Sequence, residues 1–278
     1  MARRIPNLVS IAGVDPSGGA GVLADLKSFS ALGAYGCGVV AALTAQNTQA
    51  VTGVHTPPTD FLKLQIDTLF ADVRIDAVKL GMLGSAEIVA VVADRLAHWH
   101  APNVVCDPVM VAKSGDLLLA KNAVSMLVEA LLPQCFMITP NLPEAGVLLE
   151  QRAPESVKEM YRAAEKLRER LPVSSERWVL LKGGHLPGNE VVDLLFDGDR
   201  MIEIPAPRID TPNTHGTGCS LSSAIAALLP QHAGGFHPVE NSVRQACSWL
   251  RAAIAASGEL SVGHGHGPVH HFHALWPR

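Results

Sequence analysis

Six short apolar runs separated by helix-length segments limit this 278-residue chain to few architectures. The runs are residues 8–12, 38–43, 77–80, 104–106, 136–138 and 178–181, and helical spacing recurs between them, as at 88–96 and 123–132. Apolar runs of this length read as strands buried on both faces. Their alternation with helices predicts an α/β fold, a mostly parallel central sheet with helices on both faces, three layers deep. The polar stretch 155–176 keeps helical spacing at Met160, Ala163, Ala164 and Leu167, so it reads as a surface helix rather than a linker. One domain over residues 1–278 is expected.

Ligands of such sheets bind beyond the carboxyl ends of the strands. The residues just past each run are Asp15, then Gln46 and Asn47, Met82, Asp107, Asn141 with Glu144, and Lys182-Gly183-Gly184. The connectivity brings them to one edge. Each also has an ordinary structural reading: Asp15 and Asn141 resemble turn or N-cap residues, and Lys182 a solvated strand end.

The run Asn213-Thr214-His215-Gly216-Thr217-Gly218-Cys219-Ser220 precedes an apolar helical pattern at 221–229. Unpaired N–H groups and the dipole of a helix start form an anion hole, and glycine permits close approach of a phosphate. Cys219 stands where the dipole is expected to lower a thiol pKa from its ordinary ~8.5. The turn 15–27 after the first run has neither GxGxxG nor GxxxxGK[ST], so dinucleotide and P-loop binding lack support. Asp25 is expected in the first turn of the next helix, open to a ligand's amino or hydroxyl group.

A net charge of −4 provides no basic face for nucleic acid. The chain shows no apolar run of membrane-spanning length and no secretory leader, and its five cysteines lack paired spacing, so a cytoplasmic protein with reduced thiols and no structural zinc is expected.

Taken in order, IAGVDPSGGAGVLADLKSFSALGAYGCGVVAALTAQNT, AVKLGML, DPVMVAKSGD, ITPNLPEA, LLKGGH, NTHGTGC and the tail VGHGHGPVHHFHALW resemble the hydroxymethylpyrimidine/phosphomethylpyrimidine kinases of thiamine biosynthesis, in the ribokinase-like superfamily. The resemblance runs from about residue 8 to the C-terminus. It implies successive phosphorylation of 4-amino-5-hydroxymethyl-2-methylpyrimidine and its monophosphate, with ATP and Mg²⁺. By position it implies that Asp25, Gln46 and Met82 bind the pyrimidine, with Val109 and Met110 adding apolar contact. Asn141, Thr214, His215 and Thr217 would lie on the ATP phosphate side, with Asp107 and Glu144 holding a hydrated Mg²⁺. Lys182 would steady the transferring phosphate, Gly216 and Gly218 would form the anion hole, and Cys219 would take the place of the superfamily's usual aspartate as general base.

Two other readings compete. A pyridoxal kinase shares the superfamily and the alcohol chemistry, and a non-catalytic pyrimidine-binding protein could keep the fold, although Cys219, Lys182, Asn141 and Glu144 are all present. The five histidines between 264 and 273 lack a compact ligand spacing, so packing of the C-terminus is favoured over metal binding. A homodimer is expected, with residues 112–116 and 183–189 as candidate mobile loops.

Overall fold

A computed structural model describes residues 4–110, 120–172 and 176–277. Nine strands form one sheet in the order β3-β2-β1-β4-β5-β6-β7-β8-β9: β1 (Asn7–Val14), β2 (Tyr35–Gln46), β3 (Val51–His55), β4 (Ala77–Leu80), β5 (Val104–Cys106), β6 (Met137–Ile138), β7 (Trp178–Leu181), β8 (Glu190–Phe196) and β9 (Met201–Pro207). Pairing is parallel from β2 through β1, β4, β5 and β6 to β7. The flanking pairs β2/β3, β7/β8 and β8/β9 are antiparallel.

All six expected strands are present; β3 and the β8–β9 hairpin are additional. The hairpin turns at Asp197-Gly198, where Gly198 has φ 110° and the Asp197 carboxylate accepts from the Asp199 and Arg200 N–H groups. An Asp-Gly pair between two apolar stretches was the overlooked hairpin signal.

The three layers follow from period-two burial. Val78, Val104, Ile138, Val179 and Leu181 join one core with Leu62 and Ile66 of α2 (Thr59–Asp72), Val89 and Val92 of α3 (Ala86–His98), and Met160 and Leu167 of α6 (Val157–Glu169). Ala77, Val105, Met137, Trp178 and Leu180 face the other way, against Phe29 of α1 (Gly21–Ala31), α7 (Thr217–His232) and α8 (Pro238–Ala255). Helix starts obey local chemistry: Ser85 accepts from Ile88 N–H, and Ser156 from Glu159 N–H. The expected helix at 123–132 is split into α4 (Lys121–Met126), a π-turn at Leu127–Leu131 and a 3-10 turn where Pro133 interrupts the ladder.

The tail packs inward. Val269, His270 and His271 are buried, and His271 Nε2 lies 2.9 Å from Ser220 Oγ on α7. Burial above all, with Lys27 and His270 nearby, pushes the His271 imidazole down from 6.5 to about 3. Below its ordinary pKa the unfolded chain takes up a proton that the folded chain refuses. Stability therefore falls as pH drops from the imidazole range, by up to about 1.4 kcal/mol per unit. Thermal melts from pH 7 to 5 are expected to show a falling Tm that His271→Gln flattens; a slope unchanged by the substitution would contradict this origin.

Candidate active site

The order reverses at β1, which has β2 on one side and β4 on the other, so a crevice opens beyond their carboxyl ends. Two glycine turns line it. Gly216, with φ 74°, is the residue before α7, and a Cβ there would collide with the carbonyl of Gly19. Gly21, with φ 58°, opens α1 and would likewise collide with the carbonyl of Gly13. Gly216→Ala combines this collision with a left-handed backbone, so it is expected to lower stability by more than about 1 kcal/mol. A denaturant midpoint equal to wild type would exclude that packing.

Asp107, just past β5, and Lys182, just past β7, form an ion pair of 2.7 Å at the start of α7. Thr139 Oγ1 donates to the same carboxylate oxygen at 3.1 Å. The other oxygen points at Gly218, where an added Cβ would sit 3.1 Å from Asp107 Oδ2 and 3.3 Å from Lys182 Nζ. Glycine at 218 thus keeps the cation beside the helix N-terminus. Burial disfavours the Lys182 charge, but Asp107 and then Glu144 outweigh it and hold its pKa above the ordinary value.

Asn141 and Glu144 open α5 (Leu142–Leu149) as a capping box: Asn141 Oδ1 accepts from Glu144 N–H at 2.9 Å, and Glu144 Oε2 accepts from Asn141 N–H at 2.8 Å. The box holds Glu144 buried within electrostatic reach of Lys182 and Asp107. Burial pushes Glu144 up to about 7, with Lys182 pulling it down and Asp107 up. Among the described residues no three His, Cys, Asp or Glu side chains are placed to cage a metal ion. Asp107 and Glu144 fit a hydrated Mg²⁺, which keeps several waters and takes one or two carboxylates alongside substrate phosphates.

Cys219, half-buried in the first turn of α7, corrects the expected pKa. Burial raises its pKa, and Asp25 and Asp107 add to the rise, against Lys79 and the Gly21 N–H bonded to the sulfur; the net direction is upward. Desolvation and the two carboxylates exceed Lys79 and the Gly21 N–H, so the thiol rather than the thiolate is favoured at neutral pH.

Asp25 is also corrected. It is the fifth residue of α1, beyond the first turn, and is wholly buried. Its oxygens bond Lys79 Nζ at 2.8 Å, Ser10 Oγ at 2.6 Å and Ser223 Oγ at 2.7 Å. It lies beneath the crevice rather than facing a substrate. Sequence reasoning missed Lys79, although a lysine inside the apolar run 77–80 signals a buried partner. Cys219 and Ser223 are one turn apart on α7, as Gly21 and Asp25 are on α1. Two rungs, Gly21 N–H to sulfur and Ser223 hydroxyl to Asp25, therefore lock the helices together.

Asp15 is buried and accepts from Ser17 N–H, Ser17 Oγ and Ala20 N–H, with His215 Nε2 at 2.7 Å. Burial raises its pKa, but the His215 and Ser17 bonds outweigh that and leave it below the carboxylate range. The ring of His215 is thus engaged with the first turn. Thr217 Oγ1 donates to the Thr214 carbonyl at 3.2 Å, bracing the loop before α7. Met82 packs over Gly13 and accepts its N–H through the Met82 carbonyl at 3.0 Å. Gln46, at the end of β2, takes the Thr44 hydroxyl at 3.1 Å and remains partly exposed, as does Val109. Met110 is core rather than a ligand contact.

The expected loop 112–116 lies outside the described residues. The loop 183–189 is held rather than loose: the Arg208 guanidinium donates to the carbonyls of Gly184, Leu186 and Gly188.

The sequence pattern of the family Phosphomethylpyrimidine kinase matches residues 15–270. The hydroxymethylpyrimidine/phosphomethylpyrimidine kinase of Escherichia coli (strain K12) is 52% identical over 270 residues, covering 97% of this chain and 98% of that protein. An ADP complex of Bacillus subtilis pyridoxal kinase has a TM-score of 0.87 at 33% identity, covering 97% of this chain and 98% of its own. Phosphomethylpyrimidine kinase from Clostridium difficile 630 has a TM-score of 0.77 at 37% identity, covering 90% of this chain and 100% of its own. The fold is therefore the expected ribokinase-like one. With a matching family pattern over most of its length and a full-length relative at this identity, the chain is a kinase that belongs to the phosphomethylpyrimidine kinase family.

Proposed function

We propose that this kinase transfers the γ-phosphoryl group of ATP to the hydroxymethyl oxygen of 4-amino-5-hydroxymethyl-2-methylpyrimidine, and then a second phosphoryl group to the monophosphate, in thiamine biosynthesis. The observation that carries the reading is the meeting of Lys182, Asp107 and Gly218 at the start of α7 beside Cys219. A cation, bare backbone N–H groups and a proton acceptor then surround one point, as transfer to an alcohol requires.

Gln46 and Met82 bind and orient the ring. Lys182 and the N–H groups of α7 stabilise charge on the transferring phosphoryl oxygens. Asp107 and Glu144 would hold Mg²⁺, which supplies charge neutralisation on the nucleotide phosphates when bound. In the first step the new O–P bond forms as the bond from the γ-phosphorus to the ADP oxygen breaks, and Cys219 as thiolate takes the alcohol proton. That thiolate is a minority form at rest, so proton transfer follows rather than drives a loose transition state.

The single sheet supports one domain over 1–278. No helix among the described residues is long and apolar enough to cross a membrane, and all five cysteines are thiols, which supports the cytoplasm. Exposed Leu43, Val51, Val54, Phe61 and Leu64 on β2, β3 and α2, next to the open β3 edge, support a homodimer. Val54→Asp combined with Phe61→Asp is expected to halve the sedimenting mass; an unchanged mass contradicts this interface.

Pyridoxal is the second reading, favoured by the close match to a pyridoxal kinase fold. A coupled ADP-release assay with the pyrimidine alcohol, its monophosphate and pyridoxal separates them. Turnover of both pyrimidines with weak pyridoxal turnover is expected. Preference for pyridoxal would reassign the substrate, and no ADP from any of the three would refute the kinase reading of this site.

A further inference from the structure

The histidine-glycine tail is not accounted for by the chemistry above. We propose that residues 263–271 form a positioning strap that sets the substrate loop after β2 in register with the anion hole; this rests on the reading that the alcohol lies between Gln46 and Cys219.

The strap touches three parts of the site in succession. At its start, Gly265 N–H donates to Thr48 Oγ1 at 3.1 Å and His266 N–H to the Thr48 carbonyl at 3.0 Å, two residues beyond Gln46. Next, His266 Nδ1 donates to the Pro212 carbonyl at 3.2 Å, and His215 N–H donates to the Gly267 carbonyl at 3.1 Å. Finally His271 meets Ser220, the neighbour of Cys219, while His270 N–H bonds the Ala253 carbonyl and anchors the strap to α8. Within nine residues the chain joins the ring-binding loop, the loop before the anion hole and the helix carrying the thiol.

The alternation of glycine and histidine has a physical cause. A Cβ at Gly263 would strike the Thr48 side chain, one at Gly265 the Thr48 backbone, and one at Gly267 the Asn213 side chain. The glycines are the faces laid against the site, and exposed His264 and His266 occupy the other positions. The glycine spacing of the tail is the footprint of a backbone pressed onto two loops. The Thr48 backbone cannot move aside without moving Gln46, so the contact at Gly265 transmits most strongly.

The test uses the full-length protein with saturating MgATP and varied pyrimidine alcohol. Gly265→Ala is expected to lower kcat/KM at least tenfold, mainly through KM for the alcohol, with the affinity for a non-hydrolysable ATP analogue within twofold. Thr48→Val, which removes the acceptor for Gly265 N–H, should lower kcat/KM severalfold, whereas Thr48→Ser should stay within twofold of wild type. Gly258→Ala, at an exposed glycine whose added Cβ meets nothing within 4 Å, is the control. The strap is refuted if wild type turns over and both Gly265→Ala and Thr48→Val match Gly258→Ala, or if alcohol and nucleotide affinities fall together in step with Tm. If Gly265→Ala does not fold, the Val and Ser variants of Thr48 decide alone. Absence of turnover by wild type would instead fail the underlying substrate reading.

Discussion

Lys182→Met is expected to slow both phosphorylations by about 10²–10³-fold in kcat, whereas Cys219→Ala slows the first by about 10²-fold and the second by less than tenfold. The asymmetry follows from the nucleophile. In the first step it is an alcohol whose proton must leave. In the second it is a phosphate that is largely ionised at neutral pH, its second pKa being about 6. A proton acceptor matters to one and hardly to the other. On the proposed reading Lys182, held 2.7 Å from Asp107 and beside Gly218, faces the transferring group in both steps. Single-turnover rates for the two acceptors, measured for each variant, separate the roles. Equal slowing of both steps by Cys219→Ala would sink the proton-acceptor assignment and leave the thiol a packing group. The neutral resting thiol adds a sign: first-step kcat should rise with pH as thiolate forms, while the second step lacks that limb.

The other large effect is on stability. Lys79→Met leaves Asp25 wholly buried without its counter-charge, and removing one partner of a buried pair costs about 3–5 kcal/mol. For a domain of this size that corresponds to a Tm lower by roughly 10 °C. Asp25→Asn should cost less than Lys79→Met if Ser10 and Ser223 keep their bonds to the amide oxygen, whereas Lys79→Met combined with Asp25→Leu should recover much of the loss. Calorimetry on wild type, Lys79→Met, Asp25→Leu and their combination gives the coupling directly. Additive losses would mean that the pair is not an energetic unit. Burial disfavours the Lys79 charge, but Asp25 above all outweighs it and holds the Lys79 pKa above its ordinary value, so Lys79 stays charged across neutral pH.

Much of the site was legible because its residues lie just beyond apolar strands, where a parallel sheet collects them whatever the details of packing. Asp107, Lys182 and the Asn141–Glu144 pair converge for that reason. The glycines at 216 and 218 were legible as a helix start. What escaped was the ionisation of Cys219, since a one-dimensional reading sees the dipole but not the desolvation or the two carboxylates brought in by α1 and β5. Asp25 escaped similarly: its partner is 54 residues away and becomes visible only when α1 lies over β4. The β8–β9 hairpin was missed because its strands pair with each other and with β7 antiparallel, outside the repeating strand-helix rhythm.

The order of apolar runs by itself determined a parallel, helix-covered sheet, because only that architecture buries short strands on both faces while giving each a crossover. The Gly-Thr-Gly-Cys run likewise determined a helix start with unpaired N–H groups, because these are intrinsic to any helix. Only the tertiary structure decided which carboxylate was spent on a buried lysine, which thiol stayed protonated and why the tail alternates glycine with histidine. Those properties depend on desolvation and on contacts between residues up to 218 positions apart, such as Thr48 with His266, and neither quantity exists until the chain has folded.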